Sequence, residues 1–276
     1  MGSKKFGLEL FKSVLGTPGC TWEVWHPHDY NDDRSNLEDW ISFTHHEKVQ
    51  FRLIDSKEAF KTALNETQFS MAIVCGWYWI IEETDLRKVD LGFWGIHNSL
   101  LPKYRGGSPL VWSMLSDDIE VGSSLFKLES GVDSGPIALQ VKTPKTNKSI
   151  NEILEIFEEE YKKKLQEIVL QILDKKPLLT IQEEKSASYC KQRLPEDSQI
   201  NFNWQPDYVC RFVNVLQAPY PPAFLNFKGK KIMISKIEIH EDRTELEPGE
   251  VFNIESNTIQ VAGIQGISYL ARISLD

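Results

Sequence analysis

Residues 94–110 read WGIHNSLLPKYRGGSPL, an apolar run that gives way to a polar, glycine-bearing loop. Phe93–Ile96 has the pattern of a short buried strand, which puts His97 at a strand end and residues 99–107 in the loop that follows. A second loop, SGVDSGPI at 130–137, holds Asp133 between glycines and between two further strand candidates. A histidine and a carboxylate on adjacent loops can share a proton task, because the carboxylate favours the imidazolium and the imidazole moves the proton. Taken singly, His97 is an ordinary polar residue at a strand end and Asp133 an ordinary turn former. The whole string, rather than either residue, points to chemistry.

Outward from this stretch the chain alternates strand and helix. SMAIVC at 70–75 is a near-continuous apolar run, as in a strand buried on both faces of a parallel sheet. Before it come an amphipathic helix over 5–15, a break at Thr17-Pro18-Gly19, a strand at Trp22–Trp25 and a polar loop from His26 to Asn36. A helix over 36–46, a strand at Val49–Ile54 and a helix at Lys57–Leu64 follow. After it come strands at 123–128 and 137–141, then a long helix over 149–175, opened by a Ser149/Glu152 capping box and closed by Lys175-Lys176-Pro177. This order predicts an α/β sheet with its binding site at the carboxyl ends of the strands.

The pattern changes after about residue 185. An irregular stretch, Tyr189–Pro206, leads to a helix over 206–217 and five short strands at 224–227, 231–239, 249–254, 258–261 and 267–273. Five strands at this spacing predict a small, OB-like β-barrel. A linker is expected near 177–187, with domains at 1–180 and 186–276.

Composition narrows the function. The 276 residues carry 31 Lys and Arg against 40 Asp and Glu, a formal charge of -9. A dedicated nucleic-acid binder needs a basic face, so that class is disfavoured. No apolar run is long enough to cross a membrane as a helix. Four dispersed cysteines, Cys20, Cys75, Cys190 and Cys210, suggest neither a zinc site nor a disulfide framework, and no metal is expected. A reducing cytoplasm fits that usage.

The string Ser99-Leu100-Leu101-Pro102-Lys103-Tyr104-Arg105-Gly106, with His97 before it and Asp133-Ser134-Gly135-Pro136-Ile137 after it, resembles the folate-dependent formyltransferase family. The resemblance runs from about residue 2 to the end of the chain and is closest to sugar-nucleotide N-formyltransferases. It implies a Rossmann-like first domain and transfer of a formyl group from N10-formyltetrahydrofolate to an amine, with no metal. By the same resemblance His97 stabilises developing charge or relays a proton, and Asp133 orients it and borders the folate. Backbone groups near Trp79 and Ile80, together with Leu100, are the expected neighbours of a pteridine, which needs a flat apolar slot with polar edges. One position departs from the pattern: relatives carry Asn two residues before the histidine, and this chain carries Gly95. The lost side-chain donor leaves a backbone N–H, a water or Asn98 as a substitute, a slow or altered enzyme, or a subfamily in which His97 and Asp133 suffice.

Arg34, Lys103, Gln192 and Arg193 are candidates for diphosphate and sugar contacts, since guanidinium forks match phosphate oxygens. The segments around Gln192 and Ala218–Phe224 resemble the second domain of sugar-nucleotide enzymes. Over 186–276 nine Lys and Arg face eleven Asp and Glu, a net of -2, whereas a tRNA-gripping domain would be basic. The expected substrate is therefore an amino-deoxysugar nucleotide for surface glycan assembly. Methionyl-tRNA or another amine is the alternative acceptor, and a folate or nucleotide binder without turnover is the alternative from a different class. A homodimer is compatible with the resemblance. Relatives also open with an apolar strand before the Gly-Ser turn. Here only Met1 precedes Gly2-Ser3, so the first strand is expected to be absent, with upstream residues or a cloning remnant as its explanations.

Overall fold

The computed structural model describes residues 1–29, 32, 35–146, 148–218, 220–240 and 244–274. The chain divides into two compact units. The first holds Met1–Leu110, Ile119–Pro144 and Ile153–Lys191; the second holds Val111–Asp118, Lys145–Glu152 and Gln192–Asp276.

The first unit runs α1 (Lys4–Val14), β1 (Glu23–Pro27), α2 (Leu37–His46), β2 (Gln50–Ile54), α3 (Lys57–Glu66), β3 (Ala72–Val74), α4 (Glu83–Leu86), β4 (Phe93–His97) and the two-residue β5 (Arg105–Gly106). The chain then passes through α5 (Pro109–Leu115), most of which belongs to the second unit, to β6 (Glu120–Lys127), β7 (Ile137–Pro144), α6 (Ile150–Leu173) and the two-residue β8 (Tyr189–Cys190). Strands β1 and β2 pair in parallel, as do β3 and β4, while β4–β6 and β6–β7 are antiparallel. The sheet is thus mixed: the strands expected at 123–128 and 137–141 form an antiparallel hairpin across the loop that holds Asp133. The loop between them is too short for a parallel crossover.

Helix α6 forms for the reasons visible in its sequence. Glu152 Oε2 accepts the Ser149 N–H at 2.7 Å, and Ser149 Oγ accepts the Glu152 N–H at 3.3 Å. Ile150, Ile153, Phe157, Tyr161, Leu165, Val169 and Ile172 make one buried stripe. The Tyr161 hydroxyl reaches Ser123 Oγ at 3.1 Å, which ties the helix to β6.

Residues Met1–Ser3 stand where a strand between β1 and β3 would run. Gly2 N–H donates to Trp25 O at 3.0 Å, Cys75 N–H to Met1 O at 3.0 Å, and Ser3 N–H to Cys75 O at 3.1 Å. The Gly2–Cys75 bridge is parallel. Among the described residues the remaining gap is a cavity of about 280 Å³ at the starts of β1 and β3, lined by Trp22, Phe69, Met71 and helix α1. The Met1 ammonium donates to Ile73 O at 2.7 Å, and burial pulls its pKa down to about 6.

The stretch expected to be a linker is not free. Thr180 and Ile137 exchange backbone hydrogen bonds at 2.8 Å, and β8 pairs in parallel with β5. Residues 178–190 are therefore hydrogen-bonded within the first unit and carry side chains to the loops after β4 and β6.

The second unit holds α7 (Pro206–Val215) and five strands: β9 (Ala223–Phe227), β10 (Lys230–His240), β11 (Val251–Glu255), β12 (Thr258–Ala262) and β13 (Ser268–Ile273). They form one antiparallel sheet in the order β11-β12-β13-β10-β9. Register shifts between Ile234 and Lys236 and between Val251 and Asn253 curl it. Helix α7 covers β10, burying Val209, Phe212 and Val213 with Ile234 and Ile237.

Candidate active site

His97 is the last residue of β4, and its ring lies against Phe126 of β6 at 6.3 Å. Its Nε2 donates to the Tyr104 carbonyl at 2.8 Å. A carbonyl can only accept, so this bond puts the proton of the neutral ring on Nε2 and leaves Nδ1 as the free lone pair. Nδ1 faces Asp133 Oδ2 at 3.5 Å. Asp133 Oδ2 also accepts the Gly106 N–H at 2.8 Å. The imidazole can therefore accept a proton at Nδ1, with a carboxylate beside it to stabilise the imidazolium. The loop is fixed on its other side by Ser99, whose Oγ donates to the Lys103 carbonyl at 2.7 Å.

Gly95 and His97 share one face of β4, and Gly95 is paired with Phe126. A methyl placed on Gly95 would come within 2.7 Å of Leu128 Cδ2 and 3.0 Å of Phe126 Cε1. The volume that a side chain at 95 would use is filled by these two residues. Asn98 does not replace the lost donor beside His97. Its Oδ1 accepts from Ser123 Oγ at 2.8 Å, and Ser123 lies on the face of β6 opposite Phe126.

The expected folate neighbours lie on loops after β3 and β4. Trp79 is half-buried and meets Trp77 edge to face at 5.2 Å, packed on the cluster around Trp25, Phe60 and Phe93. Ile80 is 83% exposed. Leu100 leans on Gly122, where a methyl would come within 2.2 Å of Leu100 Cδ2. Trp79 and Ile80 thus follow β3 and Leu100 follows β4, at the carboxyl ends of two paired parallel strands.

The four candidate phosphate contacts divide. Arg34 lies outside the described residues. Lys103 is exposed on the loop after β4. Gln192 is exposed and Arg193 half-buried, both in the second unit. Arg193 is a structural residue there: its Nη2 donates to the Asp197 carbonyl at 2.7 Å, and its guanidinium lies over Trp112 at 5.3 Å. Burial holds its pKa below the ordinary value.

The polar loop after β1, which the sequence offers as a substrate-binding loop, and the segment after β3 meet at Lys4, and Lys4, Gln182 and Cys190 are the residues that sequence reading did not single out. Lys4 Nζ bridges Asp29 and Asp32 at 3.0 and 2.7 Å and also contacts the Tyr78 hydroxyl, at the carboxyl ends of β1 and β3. Burial, then Asp32, pushes the Tyr78 pKa up. Arg105 and Gln182 stand behind Asp133. Cys190 Sγ lies 3.1 Å from the Gly107 carbonyl, and burial and the charge of Asp133 push its thiol up to about 11.

The formyl transferase family matches residues 32–196, and the formyl transferase C-terminal domain matches residues 194–275. The chain belongs to the formyl transferase family. Among its relatives, the methionyl-tRNA formyltransferase of Thermus thermophilus is 27% identical over 218 residues, 79% of this chain and 70% of the relative. The fold of this formyl transferase is also that of WlaRD, a sugar 3N-formyl transferase solved with dTDP and 5-N-formyl-THF. The TM-score is 0.68 at 15% identity, over 100% of this chain and 96% of that one. The N-formyltransferase from Helicobacter canadensis, in complex with folinic acid and dTDP-3-aminofucose, gives 0.67 at 16% identity over 99% and 97%. Methionyl-tRNA formyltransferase from Clostridium thermocellum gives 0.59 at 19% identity over 80% and 94%. Among the described residues of this formyl transferase, no helix is long and apolar enough to cross a membrane, and no group of three or more metal-ligating side chains is clustered.

Proposed function

We propose that this formyl transferase moves a formyl group from N10-formyltetrahydrofolate to the amine of an amino-deoxysugar nucleotide in the assembly of a surface glycan. The observation that carries the chemistry is the His97 ring, with Nε2–H given to Tyr104 O at 2.8 Å and Nδ1 facing Asp133 at 3.5 Å. The folate supplies the formyl group, and Trp79, Ile80 and Leu100 would hold its pteridine. The acceptor amine must be neutral when its lone pair meets the formyl carbon, and His97 Nδ1 is the group that takes the proton the nitrogen sheds. Asp133 Oδ2 stabilises the imidazolium so formed. The same proton is then available at Nδ1 for the departing folate nitrogen. Gly95 supplies no side-chain donor, so backbone N–H groups or water meet the charge that develops on the formyl oxygen.

Two observations support a sugar nucleotide as acceptor. WlaRD and the Helicobacter canadensis enzyme match 100% and 99% of this chain, whereas the Clostridium tRNA enzyme matches 80% of it. The stretch 186–276 carries nine basic against eleven acidic residues, which does not favour a polyanion. Lys103 and Arg34 are the side chains proposed for the diphosphate. Formylation of methionyl-tRNA is the second reading, favoured by the names of the sequence relatives. Calorimetric titration in the presence of 5-formyltetrahydrofolate separates them. Saturable binding of a dTDP-linked 3- or 4-amino sugar, and none of initiator tRNA, is the expected result; tight tRNA binding alone would reverse the assignment.

A further inference from the structure

Asp133 has φ +47, a left-handed conformation that residues with side chains rarely adopt. A strained residue of this kind persists where its surroundings over-determine it. Here the surroundings are Gln182. Its Nε2 donates to the carbonyls of Asp133 and Gly135 at 2.8 and 2.7 Å. Its Oε1 accepts from Arg105 Nε and Nη2 at 3.2 and 3.1 Å. A guanidinium can only donate and the two carbonyls can only accept, so the carboxamide has one permitted orientation.

The anchor itself is firm. Arg105 is 1% exposed, and its Nη1 donates to Glu184 Oε2 and to the Tyr189 hydroxyl, both at 2.9 Å. The following residue, Gly106, donates its N–H to Asp133 Oδ2 at 2.8 Å. The dipeptide Arg105-Gly106 therefore holds both ends of Asp133: the main chain through Gln182, and the carboxylate directly. What this fixes is the 3.5 Å separation between Asp133 Oδ2 and His97 Nδ1.

We infer that Gln182 is a positioning residue for proton transfer at His97, acting by donation to the Asp133 and Gly135 carbonyls. The inference rests on the His97–Asp133 reading given under the proposed function. The side-chain bonds of Gln182 run to Asp133, Gly135 and Arg105, so its effect on His97 runs through Asp133.

The discriminating variant is Gln182→Glu. Glutamate keeps an acceptor for Arg105 but cannot donate to two carbonyls. A residue that merely braced Arg105 would tolerate the change. A positioning residue would not. Gln182→Leu, which adds no charge beside the carbonyls, is the second variant should the first fold poorly. Two readouts are needed, with melting temperature as the control for folding. In a spectrum of glycine-labelled protein, the Gly106 amide proton reports its bond to the Asp133 carboxylate and is expected to move upfield in both variants. The kcat of formyl transfer is expected to fall by up to about 10²-fold, as for a misplaced catalytic group, with the folate KM little changed. A Gly106 amide that does not move in the folded variants overturns the inference, and so does a moved amide with kcat unchanged. If no acceptor is turned over at all, the functional reading fails while the amide shift still decides the role of Gln182.

Discussion

Gly95 and Phe126 stand opposite one another across the β4–β6 pair and share one volume: a methyl on Gly95 would meet the Phe126 ring at 3.0 Å. The missing side chain two residues before His97 is therefore built into the sheet. Restoring it is expected to cost stability without restoring a donor. Gly95→Asn should lower stability by about 1–3 kcal/mol, the usual range for overpacking a closed core. Formyl transfer should not rise. Gly95→Asn combined with Leu128→Ala should recover part of the loss, because Leu128 Cδ2 is the nearer obstacle at 2.7 Å. Urea unfolding of the three proteins checks this; a faster and equally stable single variant would contradict it.

His97 is predicted to carry the proton. His97→Ala should reduce kcat by about 10²–10⁴-fold, the range for a lost general base. His97→Gln should not rescue it, since an amide can bond Tyr104 O but cannot take a proton. Steady-state rates at saturating folate measure both. Activity in His97→Gln close to that of the parent would mean that the ring acts only as a hydrogen-bonding group.

Much of this arrangement is legible in the sequence, for identifiable reasons. His97 and Asp133 stand out through the whole string around them and its family resemblance, since singly a strand-end histidine and a turn aspartate are ordinary; the structure brings them to 3.5 Å. The long helix over 149–175 is found because its apolar stripe and its Ser149/Glu152 cap are both local. Strand direction is not local: two apolar runs show two strands, and only the short loop between them points to the antiparallel hairpin of β6 and β7. The two-residue strands β5 and β8 are too short to show a period. Gln182 reaches Asp133 from 49 positions away, and nothing in the intervening sequence announces it. Arg193 reads as a candidate phosphate contact in a polar stretch, yet its guanidinium lies over Trp112 and Phe212. Gly95 shows a lost donor in the sequence, and only packing shows what fills the space.

Stability should fall in mild acid through His26. The ring is fully buried against Trp40 and Phe51, its Nδ1 lies 2.7 Å from the Pro27 carbonyl, and among the described residues its Nε2 has no hydrogen-bond partner. Burial holds its pKa below the ordinary value of 6.5. The unfolded chain then binds the proton more readily than the folded one. Stability is complete above the unfolded value of 6.5 and is lost as pH falls from there toward the folded pKa. Denaturant midpoints measured across this range should drop further for the parent than for His26→Phe. Equal drops would assign the acid sensitivity to other groups.

The sheet is weakest beside Met1–Ser3. Strand β3 has three residues, and a cavity of about 280 Å³ lies between it and β1. Amides of β1 and β3 should exchange with deuterium well before those of β6 and β7, which are eight residues long and paired along their length. Uniform protection across all four strands would contradict this.

The most direct test of the whole account is a mass-spectrometric turnover assay with N10-formyltetrahydrofolate. A panel of amino-sugar nucleotides and methionyl-tRNA are offered as separate acceptors. The account predicts a single formyl added to one sugar nucleotide by the parent protein, with His97→Ala leaving it unmodified. Formylation of methionyl-tRNA alone, or of no acceptor while the folate still binds, would contradict it.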